Sequence, residues 1–354
     1  MPSIKEQIKN IIKDRSKWRY YNNMSVSFEF ENLSDTEKCY DFIQKFINCS
    51  RKNEPIFMKG VHAIKEHKEG DGEKGERLCH IVSVFFFGLT LFNSISIFKE
   101  KIIEELKSLN IFDKEDNIEQ EFIFVWFMIS MFHDLGYIFE KNIVTNEYTK
   151  NDIIKEKAEL LNSFGTLSCS EKLPAHYQKI IKKYSKYREN KDHGILGGLS
   201  FAKHLTKLRE TKYEEEQDAE NKMKWKPELD RLYRYVAWRI CCHNIFYTRF
   251  GDSSINEIFK YVYHGLFPLI LCNRKNDSNS YVDYPIKFKE SPLFFFLCFV
   301  DSIDPIKKIG RFPDDLKIEC NDSGFLSISS KDPVYMESIK SIEDWLLPKE
   351  GKIY

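Results

Sequence analysis

Residues 122–137 read FIFVWFMISMFHDLGY, and the rest of the chain is organised around this stretch. From Phe122 to Phe132 every residue but Ser130 is apolar, and then an imidazole and a carboxylate, His133 and Asp134, stand side by side ahead of Gly136, a residue type that can end a helix. The pattern is that of a buried rod with two metal-ligand side chains at its tip. Burying such groups without partners costs roughly 2–7 kcal/mol for a neutral polar group and more for a charge, so the partners must come from elsewhere in the chain.

Working outward, other apolar helices end or begin on the same residue types. His80 is followed by Val84, Phe87 and Leu91 at i+4, i+7 and i+11, which puts its imidazole on a buried face. In Lys191-Asp192-His193-Gly194, Asp192 is a helix N-cap and His193 falls in the first turn; Gly194, Gly198 and Ala202 then form a small-residue stripe that lets another helix approach. Pro227 opens a helix whose inner stripe is Leu229, Leu232, Val236, Ile240 and His243. Ser291 and Pro292 open SPLFFFLCFVDSIDP as N-cap and first-turn pair, Asp301 lies at its far end, and Pro305 closes it.

The remainder reads as mainly α with small β elements near the N-terminus and in the tail. Helices are expected at Ile4–Trp18, at Asp35–Cys49 with Ser34 as N-cap, and from about Gly75 to Leu106 with a bend near Asn93–Ser96. Two more are expected at Asp152–Asn162 and Pro174–Tyr187. Ser25–Glu31 alternates Val26, Phe28 and Phe30 with polar residues, as a half-buried strand does. Glu69–Gly75 is a charged loop, and the nearly apolar-free Lys207–Lys226 is a solvated extension or mobile lid. Leu316–Cys320 and Gly324–Ser330 suggest a hairpin, and Val334–Leu347 a last helix. The organisation is an N-terminal extension (1–70), a central region (71–312) with a charged insertion at 207–226, and a tail (313–354).

With 354 residues, 42% hydrophobic and 15% aromatic, the chain can bury a sizeable core. Lys plus Arg equals Asp plus Glu, 54 against 54, so no overall basic field argues for nucleic acid or an anionic membrane. The first residues, MPSIKEQIKNIIKDR, lack the apolar core of a secretory signal, and the apolar runs fall short of the roughly 20 residues that span a bilayer. A cytoplasmic protein with no membrane partner is expected. The nine Cys are odd in number and without a Cys-x-x-Cys pair, as for small core residues of a reduced protein.

His80, His133-Asp134, His193, His243 and Asp301 thus form an ordered pattern, H…HD…H…H…D, at separations of 53, 60, 50 and 58 residues. With Leu-Gly after the HD pair, this pattern resembles the HD-domain superfamily of metal-dependent phosphohydrolases, and in particular its two-metal branch of phosphodiesterases and nucleases. The resemblance spans roughly Arg77 to Arg311 and departs from the family at two places: Tyr137 stands where many relatives have Lys (HDIGK), and Asn244 where some have a second His. It implies a helical bundle in which His80, His133, Asp134 and Asp301 hold one ion, and Asp134 bridges to a second held by His193 and His243. Mixed imidazole and carboxylate donors suit Mn²⁺, Fe²⁺, Co²⁺, Ni²⁺ or Zn²⁺. Two such ions share a hydroxide for in-line attack on phosphorus, which makes Asp134 a catalytic residue.

Cationic residues supply phosphate-binding candidates. Arg239 lies one turn before His243, and Lys307, Lys308 and Arg311 follow Asp301; Arg239 and Lys307 are also assigned catalytic roles in charge stabilisation. Asp304 is a support for Asp301 or for a metal-bound water. His204, eleven residues after His193, lies about 16 Å along the helix axis, too far to share an ion with it. His62, His67, His176 and His264 are read as ordinary histidines. The expected activity is hydrolysis of a phosphodiester in a nucleotide or cyclic dinucleotide. An HD-type nuclease on single strands, which the balanced charge disfavours, and a non-catalytic nucleotide-binding or regulatory module are the alternatives.

Overall fold

The computed structural model describes residues 2–20, 26–47, 56–67, 75–112, 117–146, 148–162, 193–216, 218, 225–243, 288–289, 291–321 and 324–340. Helices dominate them, joined by one small sheet, so the fold is mainly α with a minor β element. The chain divides into two compact units, the first made of residues 1–54, 65–131 and 282–354 and the second of 55–64 and 132–281.

In the first unit, α1 (Ile4–Lys13) starts with a capping box in which Ser3 and Glu6 satisfy each other's backbone donors. Its Ile4, Ile8, Ile11 and Ile12 are buried. Asp35, rather than the expected Ser34, caps α2 (Thr36–Phe46), because its carboxylate reaches the N–H groups of Glu37 and Lys38 while Ser34 closes a preceding 3-10 turn, Phe30–Ser34. That turn also corrects the strand expected at Ser25–Glu31. Val26 and Phe28 are buried as the alternation requires, but residues 26–29 form no strand and have no ladder partner among the described residues. Alternation reports which side chains are buried, and here a helical surface buries them in place of a neighbouring strand.

The core of this unit is aromatic. α4 (Glu76–Ser94) and α5 (Ser96–Ser108) meet at the expected bend, and α6 (Ile118–His133) carries the apolar rod. Phe42, Phe86 and Trp18 meet with centroids 5.1–5.8 Å apart, Phe46 stacks on Phe127 at 3.8 Å, and Phe92 stacks on Phe122 at 3.8 Å. The Trp126 indole donates to the Phe85 carbonyl at 3.0 Å, so the buried ring keeps its one polar group satisfied. Helix α4 and the segment from Ile118 to Glu140 are each long and apolar enough to cross a membrane by length and composition, a test that the sequence runs alone did not meet. Their most apolar windows are 83% and 89% buried within the protein, as in core helices.

α11 (Pro292–Ile303) and α12 (Pro305–Ile309) also belong to this unit. Pro292 takes the first position of α11 as expected, while the Ser291 side chain makes no cap bond. The tail forms the expected antiparallel hairpin, β1 (Lys317–Cys320) and β2 (Leu326–Ser329), with Ile318 opposite Ile328. It is followed by α13 (Pro333–Ile339), whose buried Tyr335 donates its hydroxyl to the Ile303 carbonyl at 2.7 Å and ties the tail to the end of α11. The rest of the helix expected to Leu347 lies outside the described residues.

The second unit contains most of α3 (Ile56–Glu66), the tip of α6, and α7 (Tyr137–Glu140) and α8 (Lys150–Asn162). It also contains α9 (His193–Glu215) and α10 (Leu229–Cys242). The expected helix at 174–187 and the Asp192 cap lie outside the described residues. α9 and α10 pack closely because of the small-residue stripe: a Cβ at Gly198 would come within 2.5 Å of the Ala237 carbonyl oxygen. Of the expected solvated extension or lid, Lys207–Glu215 continues α9, and residues 217 and 219–224 lie outside the described residues. Arg209, 6% exposed, anchors this end of α9 through a two-pronged bond to Asp230 at 2.8 and 3.0 Å. A charge-rich run packs as part of the helix where one of its arginines is itself buried against a carboxylate.

Candidate metal centre

The tip of α6 is held against the start of α9 by backbone contact. Gly136 has right-handed helical torsions, φ −61° and ψ −13°, so it does not serve as the left-handed helix cap that the sequence suggests. What it provides is space. A Cβ there would overlap the His193 carbonyl oxygen and come within 2.5 Å of the Gly197 nitrogen. This approach brings Asp134 and His193, 59 residues apart in the chain, to one place.

Four predicted ligands meet in the second unit. His133, Asp134, His193 and His243 are buried, with exposures of 0%, 1%, 9% and 1%. Asp134 Oδ1 lies 3.5 Å from His193 Nε2 and 3.7 Å from His133 Nε2. The His243 ring stands 5.3 Å from that of His133 and 5.4 Å from that of His193, centroid to centroid and strongly tilted. One ligand atom from each of Asp134, His193 and His243 lies within 4.8 Å of the other two.

Two features of this group fit a metal site. Distances of 3.5 and 3.7 Å are too long for good N–H···O bonds, which cluster near 2.9 Å. Two ligands each about 2.0–2.1 Å from one ion at a tetrahedral angle stand about 3.3 Å apart, much closer to what is found. The second feature is the direction of the imidazoles. His243 Nδ1 donates to the Ile240 carbonyl at 2.7 Å, and His193 Nδ1 donates to Glu140 Oε2 at 2.8 Å, so in the neutral form of each ring Nε2 carries the lone pair. A ligating histidine almost always has its other nitrogen held in this way. The donor set fits a divalent transition ion.

The other two predicted ligands meet in the first unit. His80, one turn into α4, has Nε2 3.0 Å from Asp301 Oδ1 and Nδ1 2.7 Å from Asp304 Oδ2. Ser83 donates to Asp304 at 2.5 Å, and Lys307 Nζ donates to Asp301 at 2.6 Å. Burial opposes a charge on His80, but the hydrogen bonds to Asp301 and then Asp304 outweigh it, and the imidazole pKa is raised. Asp304 is therefore a partner of His80 and of the Lys307 backbone N–H.

The cationic residues are found in different settings. Lys307 faces Asp301, Lys308 is half-buried, and Arg311 is exposed and pairs with Asp332 at 2.6 Å. Arg239 is 4% exposed; its guanidinium lies 3.2 Å from the Tyr235 ring centroid and donates to the Tyr235 carbonyl at 3.0 Å. His204 pairs with Glu156 at 2.9 Å, apart from the His193 group, as the helix spacing requires. Asn244, His176 and His264 lie outside the described residues.

Glu140 went unnoticed in the sequence. Its only signal is its place six residues after Asp134, on the short helix that the HD pair leads into. Burial favours its neutral form, but the His193 hydrogen bond and charge outweigh burial, and its pKa is lowered. No protein-family model matches this chain, and comparison with curated proteins and with solved structures finds no match.

Proposed function

We propose that the chain is a metal-dependent phosphohydrolase that cleaves a phosphodiester in a nucleotide or cyclic dinucleotide. The observation that carries the reading is the pair of imidazoles, His193 and His243, each with Nδ1 held by an oxygen acceptor and each with a ligand atom close to Asp134. A divalent ion held by Asp134, His193 and His243 would supply Lewis acidity and an acidified water, which suits phosphoryl transfer to water. Asp134 would ligate the ion, Arg239 would meet substrate phosphate, and Lys307 would hold Asp301 in place through their hydrogen bond. The order H…HD…H…H…D in the sequence extends the reading to a second ion per chain.

The test uses protein reconstituted with Mn²⁺ or Co²⁺. It should hydrolyse bis(p-nitrophenyl) phosphate, and chelation or the double change His133→Ala with Asp134→Ala should abolish the activity. Nucleotides, cyclic dinucleotides and short single strands then identify the substrate. A protein that holds its metal but is inert toward all of them would contradict the enzyme reading and favour a binding module.

A further inference from the structure

We infer that Glu140 is a positioning residue for the metal centre, an outer carboxylate that fixes His193 and sets how tightly a divalent ion is held; this rests on Asp134, His193 and His243 being ligands. One oxygen, Oε2, accepts both the His193 backbone N–H at 2.9 Å and the Nδ1–H at 2.8 Å. Because one donor is the backbone N–H and the other the ring Nδ1–H of the same residue, a shared acceptor fixes the side-chain torsions as well as the tautomer. Tyr137 stacks flat on the imidazole, with centroids 3.8 Å apart and planes 17° apart, and so restricts the ring from its face.

Tyr137 and Glu140 are the two ends of α7, which follows the HD pair by a single turn. Asp134 and the two residues that orient His193 therefore belong to one short stretch, and a ligand from the α6 tip is kept in register with a ligand from α9. A carboxylate on Nδ1 also raises the basicity of Nε2, so charge as well as geometry contributes to metal affinity. The position where many HD relatives have Lys thus carries a ring that packs on a ligand.

Oε2 also satisfies the first backbone donor of α9, so a purely structural role as a helix cap must be separated from a role at the metal. Glu140→Gln separates them, because the amide oxygen can accept both hydrogen bonds but carries no charge. Co²⁺ is titrated into the full chain, with its visible absorption spectrum and the melting temperature in chelator recorded alongside. Glu140→Gln should melt within about 3 °C of wild type without metal, bind Co²⁺ roughly 10–100-fold more weakly and show a shifted spectrum. An affinity within about threefold of wild type and an unchanged spectrum would overturn the assignment and leave the cap as the whole role of Glu140. If Glu140→Gln does not fold, Glu140→Asp, which keeps the charge but shortens the reach, is titrated in its place and judged by the same two results. Wild-type protein that takes up no Co²⁺ would overturn the metal centre itself, a failure distinct from that of Glu140.

Discussion

The His243 imidazole donates Nδ1–H to the carbonyl of Ile240 on its own helix, and His193 donates the equivalent proton to Glu140. With both tautomers set before any ion arrives, removing one imidazole should weaken binding more than disturbing its orientation does. His243→Ala is therefore expected to lower Co²⁺ affinity by more than the roughly 100-fold upper range for an outer partner, while melting in chelator stays within a few degrees. Isothermal titration reads the first and thermal unfolding the second; equal losses of affinity and stability would mean that His243 is only a packing residue. At this scale the ligand types were legible in the sequence because buried imidazoles and carboxylates at the ends of apolar helices need partners. Glu140 was not, because an acidic residue on a four-residue helix has no periodic pattern to mark it, and its role comes from a residue 53 positions away.

Helix contacts in the second unit depend on missing side chains. Gly136→Ala should push the His193 backbone away, costing about 1–3 kcal/mol or more in stability and losing metal affinity at the same time. A variant with wild-type melting and wild-type Co²⁺ binding would show that the two backbones do not touch. α8 and α9 are joined by a second buried group, in which Glu156 meets His204 at 2.9 Å and also accepts from Tyr148 and lies near Lys203. Desolvation raises the Glu156 pKa, but the His204 and Tyr148 hydrogen bonds outweigh it and the net shift is downward from 4.5. A carboxylate whose folded pKa is depressed stabilises the fold above its unfolded pKa and loses that contribution as pH falls through the folded value. Denaturant unfolding should therefore show wild type ahead of Glu156→Gln at neutral pH, with the gap closing below about pH 4.5. A gap that is constant from pH 7 to pH 3 would contradict it. Composition marks Lys207–Glu215 as solvated but does not show that Arg209 reaches Asp230 and holds the segment as the end of α9. Asp230→Ala should cost about 3 kcal/mol and speed hydrogen exchange in the last turns of α9; unchanged exchange there would contradict the anchor.

For the whole molecule, the mainly α class and the tail hairpin followed from apolar periodicity and turn residues, whereas the N-terminal strand did not form because burial alternation alone does not supply a pairing partner. The six candidate ligands stand in the sequence as an ordered set, and the structure gathers His133, Asp134, His193 and His243 in one unit and His80 with Asp301 in the other. Metal content tests the central claim most directly. The full chain is reconstituted with Mn²⁺, dialysed and analysed for bound metal beside the double variant His193→Ala with His243→Ala. Wild type should retain at least one ion per chain, approaching two if a second site is filled, and the variant should lose the ion that those two imidazoles hold while remaining folded. Trace metal in wild type, or equal metal in both proteins, would contradict the account.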